Sequence, residues 1–286
     1  MEPDAYVEMA EMEARHWWFR GRRQVLEAIL SGLRLPGRAR ILELGAGTGG
    51  NFAMLARLGN LTAVEANAAA RALSQKKCEG AIRVLPGALP DALPDTGQPF
   101  DLVCLFDVLE HIEEDAASLA VIRRLLAPGG IVVVTVPAFA FLWGAHDERM
   151  HHKRRYARAE LKARLRGAGF TIERLSYSNM FLFPAAVAAR VLDRLARADR
   201  KNRKARGADA PREPLNRIMA AVFGAERHLL AWTDLPVGLS LLAVARADSA
   251  GTLDRARFGA TIGRQTRDRA GEVHACLRDP DVAGSG

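Results

Sequence analysis

Apolar and polar positions of this chain follow two rhythms that take turns from residue 40 to residue 177. Ile41, Leu42 and Leu44 make a short apolar run, the pattern of a strand covered on both faces. Phe52, Leu55 and Leu58, with Ala53 and Ala56, then keep a helical period that Gly59-Asn60 is predicted to end. Leu61–Val64 predicts a second strand closing on Glu65, Ala68–Lys77 a helix, Ile82–Leu85 a third strand and Asp101–Asp107 a fourth. Leu119, Ile122 and Leu126 mark the buried stripe of another helix. Glu113-Glu114-Asp115 open it and Arg123-Arg124 close it, matching the helix dipole at both ends. A fifth strand ends at Pro137, a helix holds Leu161–Leu165, and Phe170–Tyr177 forms a sixth strand. Strand and helix in alternation predict an α/β, doubly wound sheet.

Two segments break that rhythm. Ahead of the first strand, Arg15-His16-Trp17-Trp18-Phe19-Arg20-Gly21-Arg22-Arg23 leads into a helical period of Val25, Leu26, Ile29, Leu30 and Leu33. It reads either as a core helix packed on the sheet or as a lid, residues 1–35, over a ligand pocket. Some 60 residues then separate the sixth strand from a last one, Leu239–Ala245. This insertion, residues 180–236, reads as two helices, Met180–Ala198 and Leu215–Trp232, with the basic stretch Asp199–Pro214 between them. Phe181, Pro184, Val187, Val191 and Leu195 are predicted to share one face of the first helix, and Arg190, Arg194 and Arg197 another. The central domain is then 36–247. Residues 248–286 show no sustained apolar period and are expected to be a loose tail without a catalytic role.

Charge sharpens the division. Net charge is +8, yet residues 41–148 hold 7 Lys and Arg against 13 Asp and Glu. The basic excess lies in 15–40, 149–166 and 190–217, which makes nucleic acid, acidic lipid or a phosphorylated substrate the partners to weigh against a merely solvated surface. Three widely spaced cysteines, Cys78, Cys104 and Cys276, argue against a disulfide framework and for a reducing compartment. An acidic N-terminus without an apolar core is no signal peptide, and no stretch has the length of a membrane span. The expected location is the cytoplasm, with peripheral contact at the inner membrane face through 180–217.

The chemistry gathers at Glu43-Leu44-Gly45-Ala46-Gly47-Thr48-Gly49-Gly50. Glycines between a buried strand and a helix let the backbone turn sharply and come close to a ligand. Gly45, Gly47 and Gly50 fit G-x-G-x-x-G, and Gly45, Gly47 and Gly49 fit G-x-G-x-G, so the glycines alone leave the nucleotide open. Glu65, about 20 residues after the first glycine, can take both hydroxyls of a ribose, which NAD and S-adenosylmethionine (SAM) share. Glu43 separates them. A carboxylate below the turn can receive the ammonium group that SAM has and NAD lacks, and it would repel a pyrophosphate.

On these residues the chain resembles the class I SAM-dependent methyltransferases. Glu43–Gly49 looks like their first motif and Val64-Glu65-Ala66-Asn67 their second, while Phe100–His111 resembles the fourth strand and Leu126–Val134 the fifth with its turn. The resemblance implies a Rossmann-like, seven-stranded sheet, mostly parallel with the last strand antiparallel, the helical lid and the helical insertion being additions. It implies SAM as cofactor, held by Glu43, Gly45, Ala46, Gly47, Gly49, Glu65, Ala66 and Phe106, with Arg22 of the lid on the SAM carboxylate and aromatic rings of the lid over the methyl sulfonium. Gly87-Ala88 stands where many members carry an acid for adenine, so a backbone amide is expected there, and Asp91 is not assigned.

The acceptor side is read from two clusters. His146, His151 and His152 share one loop with Lys153, Arg154, Arg155 and Tyr156. His146 or His111 is the candidate general base, and Trp18, His151, Arg154, Arg155 and Tyr156 are the candidate contacts to the acceptor, the basic ones suiting an anionic acceptor. Asp107-x-x-Glu110-His111 resembles the Glu-x-x-Glu-His cluster of the prenylquinone O-methyltransferases, which has been linked to a divalent metal. With Asp107 in the first place, Glu110 and His111 are read here as capping and orienting the strand end, and no metal is assigned. The loop histidines, irregularly spaced and far from cysteine, do not read as a zinc site. The function expected is methyl transfer from SAM to a small or lipid-linked acceptor, most simply at oxygen. The alternatives are a nucleic-acid methyltransferase, not favoured without a base-chemistry motif or RNA-binding module, a SAM-binding partner protein without turnover, and, more distantly, a NAD oxidoreductase.

Overall fold

A computed structural model describes residues 10–199 and 211–248; the first nine residues, the middle of the basic stretch 199–214 and nearly all of the 248–286 tail lie outside the described residues. Seven strands form one sheet in the order β3-β2-β1-β4-β5-β7-β6. They are β1 Ala39–Leu44, β2 Gly59–Glu65, β3 Arg83–Pro86, β4 Phe100–Phe106, β5 Leu126–Pro137, β6 Phe170–Ser178 and β7 Ser240–Ala247. β1 pairs in parallel with β2 and β4, and β4 with β5, while β7 runs antiparallel between β5 and β6. The expected doubly wound sheet with an antiparallel last strand is present.

The helices are α1 Trp17–Ser31, α2 Phe52–Ala56, α3 Ala68–Cys78, α4 Asp115–Leu125, α5 Ala145–Arg149, α6 Arg158–Gly167, α7 Phe183–Asp199 and α8 Glu213–Leu230, with residues 10–15 also helical. Helices cover both faces of the middle strands, which is why their sequences run apolar without alternation. Leu102–Leu105 of β4 and Ile131–Val134 of β5 are all buried. α3 is opened by Asn67, whose side chain accepts from the amides of Ala69 and Ala70.

Two local expectations are corrected. Gly59-Asn60 does not end a helix: α2 stops at Ala56, and Gly59 opens β2 with its backbone pressed on the carbonyl of Ala39, where a Cβ has no room. α7 begins at Phe183, so Phe181 stands in the turn before it and not on its apolar face. The two added segments also meet. α8 lies along α1 through Trp17 and Phe223, whose rings sit 6.4 Å apart, and Gly21 gives Phe223 its space. Asn216 of α8 accepts from the Trp17 amide at 2.7 Å and donates to the Arg15 carbonyl at 2.7 Å.

The chain leaves β1 toward β2 and β3, then returns to β4 on the other side of β1. That reversal opens a crevice at the carboxyl ends of β1 and β4, the place where open α/β sheets bind ligands.

Candidate functional site

The glycine turn follows β1 directly. Gly45, Gly47 and Gly49 hold φ of 69°, 55° and 79°, the left-handed region that side chains disfavour. The amides of Gly45 and Ala46 donate to the Val64 carbonyl, which fixes the turn to β2. Below the turn Glu43 is buried. Its Oε1 accepts from the Asn51 side chain at 2.8 Å, and its Oε2 has no partner. Burial raises the Glu43 pKa from 4.5 to about 8, the Asn51 hydrogen bond opposing it. Glu65 ends β2 and accepts from the Gly47 amide at 2.7 Å and the Asn67 amide at 2.8 Å, so both glutamates flank one turn. Ala66 is exposed beside Glu65, and Phe106 is buried at the end of β4. An unpartnered buried carboxylate oxygen next to a cradle that no Cβ narrows fits the ammonium end of SAM. In the loop expected to face adenine, the Ala88 amide donates to the Ala92 carbonyl at 2.9 Å and is therefore already engaged.

The N-terminal segment closes over this turn. Arg22 pairs with Asp107 just past β4, and its guanidinium lies 4.5 Å from the Trp18 ring centre. Glu13, buried, accepts from Thr48 Oγ1 at 2.6 Å and from Lys77 at 3.2 Å, and a Cβ on Gly50 would strike its carboxylate. Trp18 thus stacks against Arg22 within α1. Glu13 and Asn51 escaped the sequence reading; Asn51, directly before α2 and eight residues after Glu43, was the findable one.

On the other side of Asp107 the chain makes a single 3-10 turn, Leu109–His111, and meets the loop after β5, where the Lys153 amide donates to the Glu110 carbonyl at 2.6 Å. Glu110 is fully buried and neither of its side-chain oxygens has a partner, so it caps nothing. Burial, then the charge of Asp107, pushes its pKa well up. The His111 ring donates to the Met150 carbonyl; burial first, and then His152, lower its pKa to about 4. The rings of His111 and His152 are 4.7 Å apart.

Asp147 organises the rest of the loop. Fully buried, it accepts from the Gly144 amide at 2.9 Å, His152 Nδ1 at 2.9 Å and Arg155 Nε at 2.7 Å. Burial alone would raise its pKa; the bonds from His152 and Arg155 outweigh that and hold it far below the usual range. Three of the candidate acceptor contacts, Arg154, Arg155 and Tyr156, face inward instead of outward. Arg155 is spent on Asp147 and the Ala138 carbonyl, and Arg154 on Asp115 at 3.0 Å. Tyr156 is core, its hydroxyl donating to Asp115 at 2.9 Å. His146 and His151 are exposed, with the His146 ring 6.0 Å from that of His152.

The metal suggested by the Glu-x-x-Glu-His resemblance finds a changed set of residues. The first position, Asp107, has its backbone in the left-handed region at φ 58° and its carboxylate on Arg22. Glu110 and His111 remain available, and His152 stands with them: one ligand atom from each of the three lies within 4.8 Å of the others.

Comparison with known proteins agrees with this architecture. A family described as a methyltransferase domain matches residues 3–175. A ubiquinone biosynthesis O-methyltransferase of Xylella fastidiosa is 32% identical over 173 residues, 54% of this chain and 70% of that protein. A protein of the same name from a Caulobacter sp. is 34% identical over 101 residues, 33% of this chain and 39% of that protein, so the chain spans about two fifths of that relative's length. Among solved structures, a chain from the complex of the Haloferax volcanii Trm112 methyltransferase activator with a methyltransferase superposes with a TM-score of 0.56 at 17% identity, over 86% of this chain and 98% of that one. A family match over more than half the sequence, on a sheet of this topology, places the chain among the class I SAM-dependent methyltransferases.

Proposed function

We propose that this protein moves the methyl group of SAM onto an oxygen, a hydroxyl or carboxyl, of a small or lipid-linked acceptor such as a saccharide or prenyl compound. The observation that carries the reading is the position of Glu110, His111 and His152, groups able to handle a proton, just past the strand end that also bears Asp107. In-line attack on a sulfonium methyl asks mainly for proximity and alignment, worth up to roughly 7–11 kcal/mol. A hydroxyl acceptor adds a proton to be removed, and a neutral imidazole, His111 or His146, is the group to take it. Two relatives named as O-methyltransferases support an oxygen acceptor.

The insertion supports the lipid-linked form of the reading. Phe141, Phe181, Val191 and Leu192 are exposed, and Arg194 of α7 donates to the Phe141 carbonyl at 2.5 Å. Apolar rings beside cations suit a peripheral stay on an anionic membrane, in our reading the inner face seen from the cytoplasm. No described helix is long and apolar enough to cross a membrane. Incubation with methyl-labelled SAM and fractionated cell extract tests the proposal. Label should enter one fraction as S-adenosylhomocysteine forms, and should extract into organic solvent if the acceptor is a lipid. Micromolar SAM binding with no label in any fraction would instead favour a SAM-binding partner protein without turnover. Co-sedimentation with vesicles that shows no preference for acidic lipid would remove the membrane contact.

A further inference from the structure

We infer that the outward face of α8, within the insertion, is an interaction surface for a second copy of this chain, the two α8 helices pairing antiparallel about a twofold axis. The pairing is independent of which acceptor is methylated.

Leu215, Ile218, Val222, Ala225, Leu229 and Trp232 follow one another at alternating intervals of three and four residues, the seam that one helix offers to another. Trp232 lies just past α8, where the Ala231 and Trp232 amides still turn back onto the Arg227 and Leu229 carbonyls at 3.1 and 2.9 Å. The opposite side of α8 is already spent. Asn216, Ala220, Phe223 and Leu230 are buried there, and Phe223 packs on Gly21 of α1. The seam is left in water: Leu215 is 53% exposed, Ile218 59% and Trp232 91%. Large apolar side chains exposed singly need no explanation, whereas a continuous row of them marks a contact surface.

The seam also matches itself. Twofold pairing sets each residue against the one at the mirror position of the other copy. With the axis between Val222 and Ala225, Leu215 meets Trp232, Ile218 meets Leu229 and Val222 meets Ala225, each contact made twice. No like charges are brought together. Ala221 and His228 flank one side, Met219 and the buried Glu226 the other. Arg217 stands off the seam, and Arg227 lies on the α1 side, where it donates to Gln24. Small residues at the centre let the backbones approach, and the two tryptophans anchor the ends.

Charge decides between a twin helix and a membrane. A membrane surface asks for an apolar face bordered by cations, which α7 has in Val191 and Leu192 beside Arg194 and the α8 seam lacks. A narrow, uncharged, self-matching row suits a helix of its own kind. With 18 residues, α8 is about 27 Å long. A seam of that length and one helix wide belongs to the small end of specific interfaces, under about 1,200 Å² in total, so the pair is reversible and forms with rising concentration. Asn216 and Phe223 join α8 to α1, so pairing steadies the lid and should tighten when SAM binds.

Sedimentation velocity on the full-length chain, from low to high micromolar concentration, tests this. The mass should rise from one chain to two, and saturating SAM should move the midpoint to a several-fold lower concentration. Ala225→Glu puts a charge at the centre of the seam and should leave single chains throughout. Trp232→Ala should weaken pairing about tenfold or more. Both positions are exposed, so SAM calorimetry should find both variants folded, and Ile218→Glu replaces either one that is not. An equimolar mixture of Ala225→Glu and Val222→Lys brings opposite charges together across the axis and should form pairs that neither variant forms alone. Wild-type chain that stays single at every concentration overturns the surface, whatever else then covers it. So does a pair that survives Ala225→Glu, because it uses another face. Single chains whose binding to acidic vesicles is lost in Ala225→Glu would give the seam to a membrane instead. A mixture that stays single overturns the antiparallel register, and a midpoint that SAM does not move removes the link to the lid.

Discussion

Arg22 and Asp107 are bonded side chain to side chain, and that pair ties α1 to the carboxyl end of β4 across the crevice. Arg22 keeps a buried Nε without an acceptor, and its guanidinium carbon lies 4.5 Å and 5.6 Å from the ring centres of Trp18 and Phe19. A guanidinium held against two aromatic rings, with one donor unspent, is prepared to receive a carboxylate. Arg22→Lys is expected to raise the SAM dissociation constant about tenfold or more, because a hydrogen bond to a charged group contributes roughly 1.5–3 kcal/mol. Asp107→Asn leaves Arg22 in place and should change SAM affinity less. Calorimetry on both variants decides it; equal affinity in Arg22→Lys and wild type would remove Arg22 from the cofactor site.

Glu43 should make SAM binding release a proton. In the free protein burial keeps this carboxyl protonated up to about pH 8, while the unfolded chain ionises near 4.5. The folded form thus holds the extra proton between those values, so Glu43 lowers the stability of the free protein as pH rises through that window. An ammonium placed against Oε2 reverses the preference and expels the proton. At pH 6.5, titration in two buffers of different ionisation enthalpy should show about one proton released per SAM. Affinity should rise with pH toward 8 and then level off. Glu43→Gln should abolish the proton release.

The glycine turn is a stability element as well as a cradle. Gly45 holds φ 69°, and a Cβ there would lie 2.7 Å from Val108. Gly45→Ala is expected to cost about 1–3 kcal/mol from backbone strain alone, with the crowding added. For a domain of this size that lowers the melting temperature by roughly 2–4 °C for each kcal/mol. Gly50 differs, since its backbone lies outside the left-handed region and the nearest atoms an added Cβ would meet are those of the Glu13 carboxylate. Gly50→Ala should leave the melting temperature nearly unchanged yet speed proteolysis around residues 10–15.

Local chemistry made most of the fold legible. The run Ile41-Leu42, the period of Ala68–Lys77 and the charges flanking α4 each point to one element by themselves, and Glu43, Glu65 and the glycines sit where their spacing placed them. Contacts between distant segments could not be read that way. Gly59 has the chemistry of a helix stop, but the Ala39 carbonyl that requires a glycine there belongs to another strand. Arg154, Arg155 and Tyr156 look like an anion site in one dimension, and only folding shows Asp115 and Asp147 already holding them. His152 was visible as a loop histidine; that it stands with Glu110 was not, because α4, β5 and a loop separate the two.

The insertion should control the lid from a distance. Asn216, about 200 residues from its partners, accepts from the Trp17 amide at the start of α1 and donates to the Arg15 carbonyl. It serves as a cap supplied by another helix, satisfying an amide that α1 leaves open. The Asn216 side chain is buried and its partners partly so, so Asn216→Ala strands a part-buried donor and acceptor together and should cost about 1 kcal/mol or more. The loss falls where α1 turns toward Arg22, so its effect should appear in binding as well as in stability. SAM affinity is expected to drop several-fold in Asn216→Ala, with amide exchange at residues 16–20 accelerated and that of β1 and β4 unchanged. Asn216→Asp keeps the acceptor for Trp17 but loses the donor to Arg15, and it should fall between alanine and wild type. An exchange pattern that instead loosens the whole sheet would mean that α8 supports the core in general and does not govern the lid.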